Sequence, residues 1–150
     1  DEVAASLRGI GMEQVESLAL CVASDRVAHL PPLAGLIAVD APFYSMVSRD
    51  YLDDPGYRGF TFHFSAGALQ PDAQVECACE ALGIDASDPS GMARATHRLP
   101  ALRVGHGARV ERIDAALAGS RLGITGNWFY GVSIEDCLTR SHLESQRLFG

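Results

Sequence analysis

Residues 123–141 read GITGNWFYGVSIEDCLTRS and concentrate the residue types that bring a backbone close to a ligand. A short apolar run ends in Gly126-Asn127, then Trp128, Phe129 and Tyr130 follow, and Gly131 stands just before a helix signal. Ser133 and Asp136 have capping-box spacing, which predicts a helix opening at Ile134 and leaves the amides of Gly131, Val132 and Ser133 exposed at its N-terminus. Free N–H groups and the positive end of a helix dipole attract electron-rich groups. Glu135 and Asp136 add two carboxylates to the first turn, so a fully charged phosphate is repelled. A polar carbonyl, or a group gaining partial negative charge, suits this helix start better. Residue types alone leave two readings: a turn at Gly126-Asn127 with the aromatics in a core, or a ligand against the helix start.

Other reactive side chains are sparse. His63 lies on the polar side of GFTFHFS, where it either faces a substrate or is a hydrogen-bonded strand histidine. His106, after Gly105, suits a local cap or hydrogen bond. Cys77 and Cys79 stand two apart in a predicted helix, so their side chains diverge by about 200° and suit neither a mutual disulfide nor a shared metal. With no CxxC, HxH or HExxH, the four cysteines read as reduced, buried packing residues, no metal site is expected, and a cytoplasmic location follows. The formal charge is -7 and every basic residue is arginine, with no dense basic stretch, which argues against nucleic acid. No apolar run reaches the roughly 18–20 residues of a membrane span, and the N-terminal DEVAASLRGIG lacks the basic start of a signal peptide. It reads as if begun within a helix, as in a piece of a longer protein.

The elements that would position these residues form an α+β pattern in a chain of one-domain length. Val15, Leu18, Ala19 and Val22 recur at helical spacing and predict a helix over 12–24. The run from Leu36 to Val39, the stretch FYSMVSRD and the strictly alternating GFTFHFS predict a small antiparallel sheet, with Phe60, Phe62 and Phe64 on its packed face. Pro71 and Gly83 bracket a helix, residues 84–92 read as a loop, and ARVERIDAALAG gives a further helix with Val110, Ile113 and Leu117 inward. RLGIT is expected to be a short strand leading to the final helix.

LPALRVGHGARVERIDAAL followed by RLGITGNWFYGVSIEDCLTRS resembles the C-terminal end of FAD-dependent amine-oxidoreductase-type flavoproteins. It looks most like the protoporphyrinogen oxidase branch, with carotenoid-desaturase-like enzymes as more distant relatives. The likeness spans Leu99–Ser141: a Pro-x-hydrophobic-x-x-Gly-His segment, a helix, a strand ending in Gly-Asn, then Gly-Val-x-Ile-x-Asp-Cys. The upstream meander is similar, more loosely, to part of the substrate domain of such enzymes.

The resemblance implies that residues 1–120 are a substrate-binding-domain-like part and that 121–150 are the strand and helix completing an FAD-binding domain. It implies Gly126 and Asn127 beside the ribityl and phosphate region of FAD, and Gly131, Val132 and Ser133 beside the flavin pyrimidine carbonyl. Hydride transfer from a hydrophobic, porphyrinogen-like or polyene substrate would follow, with no acid–base pair required of this chain. The glycine-rich dinucleotide motif of such enzymes is absent from these residues, so the chain alone is not expected to hold FAD tightly or turn over. A missing N-terminal FAD-binding half is the implied partner. Two other classes remain open: a non-catalytic module using the aromatic face for an apolar ligand or partner, and an inactive fragment that self-associates through it as a homo-oligomer.

Overall fold

The computed structural model describes residues 2–52 and 54–150. The architecture is α+β, a five-stranded antiparallel sheet with helices. In chain order the elements are α1 (Glu2–Arg8), β1 (Met12–Ala23), β2 (Gly35–Ile37), β3 (Phe43–Ser48) and β4 (Tyr57–Ser65). Then come α2 (Pro71–Leu82), β5 (Pro89–Pro100), α3 (His106–Leu117) and α4 (Ile134–Phe149). The sheet order is β2-β3-β4-β1-β5. No helix among the described residues is long and apolar enough to cross a membrane.

The chain divides into two compact units, Gln14–Arg98 and a second made of Asp1–Glu13 with Leu99–Gly150. The boundary lies upstream of Ser120, so α3 belongs with the C-terminal segment. In the first unit, the sheet buries Leu18, Leu20 and Val22 from β1, Met46 from β3, and Phe60, Phe62 and Phe64 from β4. Val75, Ala78, Cys79 and Leu82 of α2 cluster with them. Phe43 meets Phe62 edge-on at 5.1 Å and 81°, a favoured aromatic geometry. Each such phenyl ring contributes roughly 1.5–3 kcal/mol by leaving water. Because α2 covers this row, Phe60, Phe62 and Phe64 are not a surface through which copies or an apolar partner could dock.

Residues 12–24 are the main departure from expectation: they form β1, not a helix. Val15 to Ala23 pair antiparallel with Ser65 to Tyr57, and Leu18 sits opposite Phe62. The apolar run LALCVA satisfies both a helical and a strand pattern, and cross-strand packing against the phenylalanines decides between them. The strand β5 was read only as the end of a loop, because its residues are exposed on both faces and show no alternation. Pro71 at the first helical turn and Gly83 at the close of α2 stand where the sequence places them.

The second unit packs α1 on α3 around Val3, Ile10, Val110, Ile113, Leu117 and Phe129. α4 is unusual within it. Its buried residues are Arg140 and Glu144, whereas Ile134 and Phe149 are 81% and 86% exposed. The helix is anchored by charge and hydrogen bonds, and its apolar side chains face outward.

Candidate functional site

Residues 118–133 join α3 to α4 and carry every residue expected at a cofactor. Side chains of α4 fix their path. Arg147 donates to the carbonyls of Leu117 and Ser120, each at 3.0 Å, and to Leu122 O at 2.6 Å. Ile124 donates its amide to Glu144 Oε2 at 3.1 Å, and its carbonyl accepts from Arg140 Nε at 3.1 Å. Thr125 Oγ1 and Ser141 Oγ lie 2.6 Å apart. RLGIT is therefore not a strand: no other strand pairs with it among the described residues, and α4 side chains take both peptide groups of Ile124. A strand exists only where a neighbour supplies the ladder.

The guanidinium of Arg140 is the hub of this arrangement. It lies 3.9 Å from the Phe129 ring centroid and 2.7 Å from Asp114, although that last contact lacks hydrogen-bond alignment. Arg147, followed by the amide of Ile124 and by Arg140, holds the Glu144 carboxyl below its ordinary value against the opposing effect of burial. His106 Nε2 sits 2.9 Å from the Phe129 carbonyl, a tertiary contact 23 residues along the chain and not the local bond or cap expected of it. Tyr130 donates to Asp114 Oδ2 at 3.1 Å, and burial, then this contact, raises its phenol pKa. Of the three aromatics, Phe129 is core, Trp128 packs on it at 5.6 Å, and Tyr130 is exposed.

The helix start is built as the spacing requires. Asp136 donates its amide to Ser133 Oγ at 3.0 Å, and Ser133 donates its amide to Asp136 Oδ2 at 3.2 Å. This corrects one expectation: the Ser133 N–H is spent on the cap and does not face outward free. Asp136 also lies against Gly131, where an added Cβ would collide with its carboxylate. The backbone turns at Asn127-Trp128, bringing the Phe129 amide back toward Gly126 O, whereas the amides of Thr125, Gly126, Asn127, Gly131 and Val132 have no well-aligned acceptor among the described residues. Gly126 adopts φ +142°, a conformation that side chains disfavour, with the Trp128 indole folded over it. Amides without a competing cation on the ligand side, beside the Asp136 carboxylate, fit the polar edge of a neutral ring better than a phosphate. Gly126, Asn127, Gly131 and Val132 thus keep open main-chain donors, and the Ser133 amide serves the helix.

His63 lies in the other unit, on the sheet face opposite the phenylalanines. Its Nδ1 is 3.0 Å from Ser17 Oγ, so the hydrogen-bonded alternative applies to one ring nitrogen. Burial, and secondarily His97, lowers its pKa below the ordinary imidazole value, which keeps it neutral at pH 7. Around it the face presents Ser45, Val47, Ala19, Thr61, Cys21 and Gly59, and Arg49 lies over Gly59 at its end. Cys21 is exposed there, against the expectation that all the cysteines are buried; Cys79 alone fully meets it.

At the end of this face is a cleft of about 620 Å³ that sequence reasoning missed, with Cys21, Arg49, Tyr51, Tyr57 and Arg58 among its lining residues. Arg58 reaches Asp50 at 2.6 Å and three carbonyls, those of Val27, Leu30 and Pro31. The Arg58 guanidinium, helped by the Leu33 amide, lowers the Asp50 pKa to about 2. The sequence signal is a pair of opposite charges, Asp50 and Arg58, on either side of Pro55-Gly56. No protein-family model matches this chain, and no curated protein matches it.

Proposed function

We propose that this chain supplies the C-terminal part of an FAD-dependent oxidoreductase that oxidises a hydrophobic substrate. One observation carries the reading: main-chain donors at Thr125, Gly126, Asn127, Gly131 and Val132, without well-aligned acceptors among the described residues, on a segment held by buried Arg140 and Glu144. The segment is held in place while its donors face water, so an external acceptor replaces that water without the backbone having to rearrange.

In this reading Gly131 and Val132 donate to the electron-rich edge of the flavin ring, and Gly126 and Asn127 line its ribityl side. FAD, when bound, supplies the hydride acceptor. The chain's own work is to orient and to exclude water. The capping box fixes where α4 begins, and hence where the Gly131 and Val132 amides stand. The exposed apolar residues of α4, Ile134 and Leu138 one turn apart, fit a further layer supplied by an N-terminal FAD-binding half.

The test uses Trp128, the only tryptophan, and the backbone amides. The isotope-labelled chain is titrated with riboflavin and with FAD, and amide shifts are read together with Trp128 fluorescence. The expected result is weak, saturable shifts at Gly126, Asn127, Gly131 and Val132, with quenching of Trp128. Shifts confined to other residues, or none at millimolar flavin, overturn the proposal.

A further inference from the structure

β5 forms an edge of the sheet, and its residues from Ser90 to Leu99 are all exposed. An added Cβ on Gly91 would lie 3.8 Å from Cys21 Cβ, and the amide of Ala101 donates to Gly11 O at 2.9 Å; both fit one antiparallel register against β1. Peptide groups along such a strand alternate between inward and outward. Since Ala101 faces inward, Arg98, Thr96, Arg94 and Met92 turn their N–H and C=O groups outward. Side chains follow the same period of two, so these residues also share one face. Arg94 confirms that face by donating to Pro71 O, at the start of α2, at 2.8 Å.

Long open edges are normally blunted by a bulge, an internal proline or inward charge. Between Ser90 and Leu99 there is no proline. What the edge does carry is two guanidinium groups four residues apart, neither paired with a carboxylate among the described residues. Arg98 has no polar partner at all among them. An incoming strand would set its own side chains about 5 Å from these groups on the same face.

We propose that the outer edge of β5 receives an extended acidic segment as a sixth strand, with carboxylates four residues apart opposite Arg94 and Arg98. Main-chain hydrogen bonds supply attachment, and the two charge pairs select the partner. Antiparallel self-pairing of β5 centred on Arg94, Thr96 or Arg98 sets arginine against arginine, which leaves only the registers centred on Ala95 or His97 to a second copy, an outcome the test separates. Neither arginine belongs to the loop proposed to face the flavin, so the two ideas stand or fall separately.

Three synthetic peptides of alternating valine and threonine test this: one with two glutamates four apart, one with glutamines there, one with lysines. Each is titrated into the isotope-labelled chain at low salt. The glutamate peptide should shift and protect the amides of Met92, Arg94, Thr96 and Arg98, binding about fivefold more tightly than the glutamine peptide, as two cross-strand charge pairs allow. High salt should close that gap. Arg98→Glu, which leaves one charge of each sign on the edge, should erase the preference for the glutamate peptide over the lysine peptide, and Thr96→Pro, which removes an outward N–H, should abolish binding. Unchanged Phe60–Phe64 amide shifts verify folding in each variant; Arg98→Glu, whose side chain has no polar contact to lose, carries the test if Thr96→Pro unfolds. Equal affinity for the glutamate and glutamine peptides, no binding at millimolar peptide, or protection of the β5 amides by raised chain concentration alone would overturn it.

Discussion

Replacing Arg140 with methionine removes the hub that holds the segment between α3 and α4. The side chain is 3% exposed, and methionine matches its length while deleting its charge. Three losses follow. The hydrogen bond to the Ile124 carbonyl is worth about 1 kcal/mol and the stack on Phe129 about another 1 kcal/mol. Asp114 loses its ion-pair partner, but its side chain is 35% exposed, so water limits that cost to about 1 kcal/mol. Glu144 keeps Arg147 and costs little. The sum is about 3 kcal/mol, which should lower the urea midpoint by about 1–3 M for a typical denaturant dependence. Trp128 fluorescence reports this unit, because the indole packs against its core. Arg140→Lys, which keeps charge but not the planar stack, should recover less than half of the loss. A midpoint for Arg140→Met at or above that of the parent would refute the reasoning: burying the guanidinium would then cost more than its contacts return.

Further outcomes follow from other residues. The depressed Asp50 carboxyl stabilises the fold fully above its unfolded value near pH 4, and that stability is lost as pH falls toward about 2. Asp50→Asn should therefore lower the urea midpoint at pH 6, by up to about 2 kcal/mol of stability, and flatten its fall between pH 4 and 2. Gly131→Ala places a methyl against the Asp136 carboxylate and should open the capping box, costing about 1 kcal/mol and fraying the first turn of α4 in hydrogen exchange. Phe62→Ala, at a fully buried ring under α2, should cost about 3–5 kcal/mol, read as early loss of sheet and helix ellipticity.

The parts of the fold legible in the sequence were those decided locally. The Phe60, Phe62 and Phe64 alternation needs no partner to reveal its buried face, and Ser133 with Asp136 announces a helix start within four residues. β1 was not legible, because Ala19 and Cys21, small and uncharged on its open face, hide the period of two that Leu18, Leu20 and Val22 set. β5 was hidden for the opposite reason: both of its faces meet solvent, so no hydrophobic pattern marks it. At the candidate site, the cap could be read but its consequence could not. Whether Asp136 turns back to the Ser133 amide depends on side-chain geometry that spacing only permits. Nothing in the sequence separates Arg140, Glu144 and Arg147 from surface charges, and only tertiary packing shows that they hold Leu117, Ser120, Leu122 and Ile124 in place.

The unit Gln14–Arg98 is an unbroken stretch of chain, whereas the other unit is assembled from the segments on either side of it. Within that second unit, the two segments meet where Gly11 O accepts from the Ala101 amide and Arg103 pairs with Glu13. A tight Asn-Gly turn joining Glu13 to Leu99 would therefore close the helical unit without its insert, and Gln14–Arg98 could be exchanged as a cassette. In such an architecture, the segment that selects a ligand can diverge by whole-module replacement while the scaffold around α3 and α4 keeps its own hydrogen bonds.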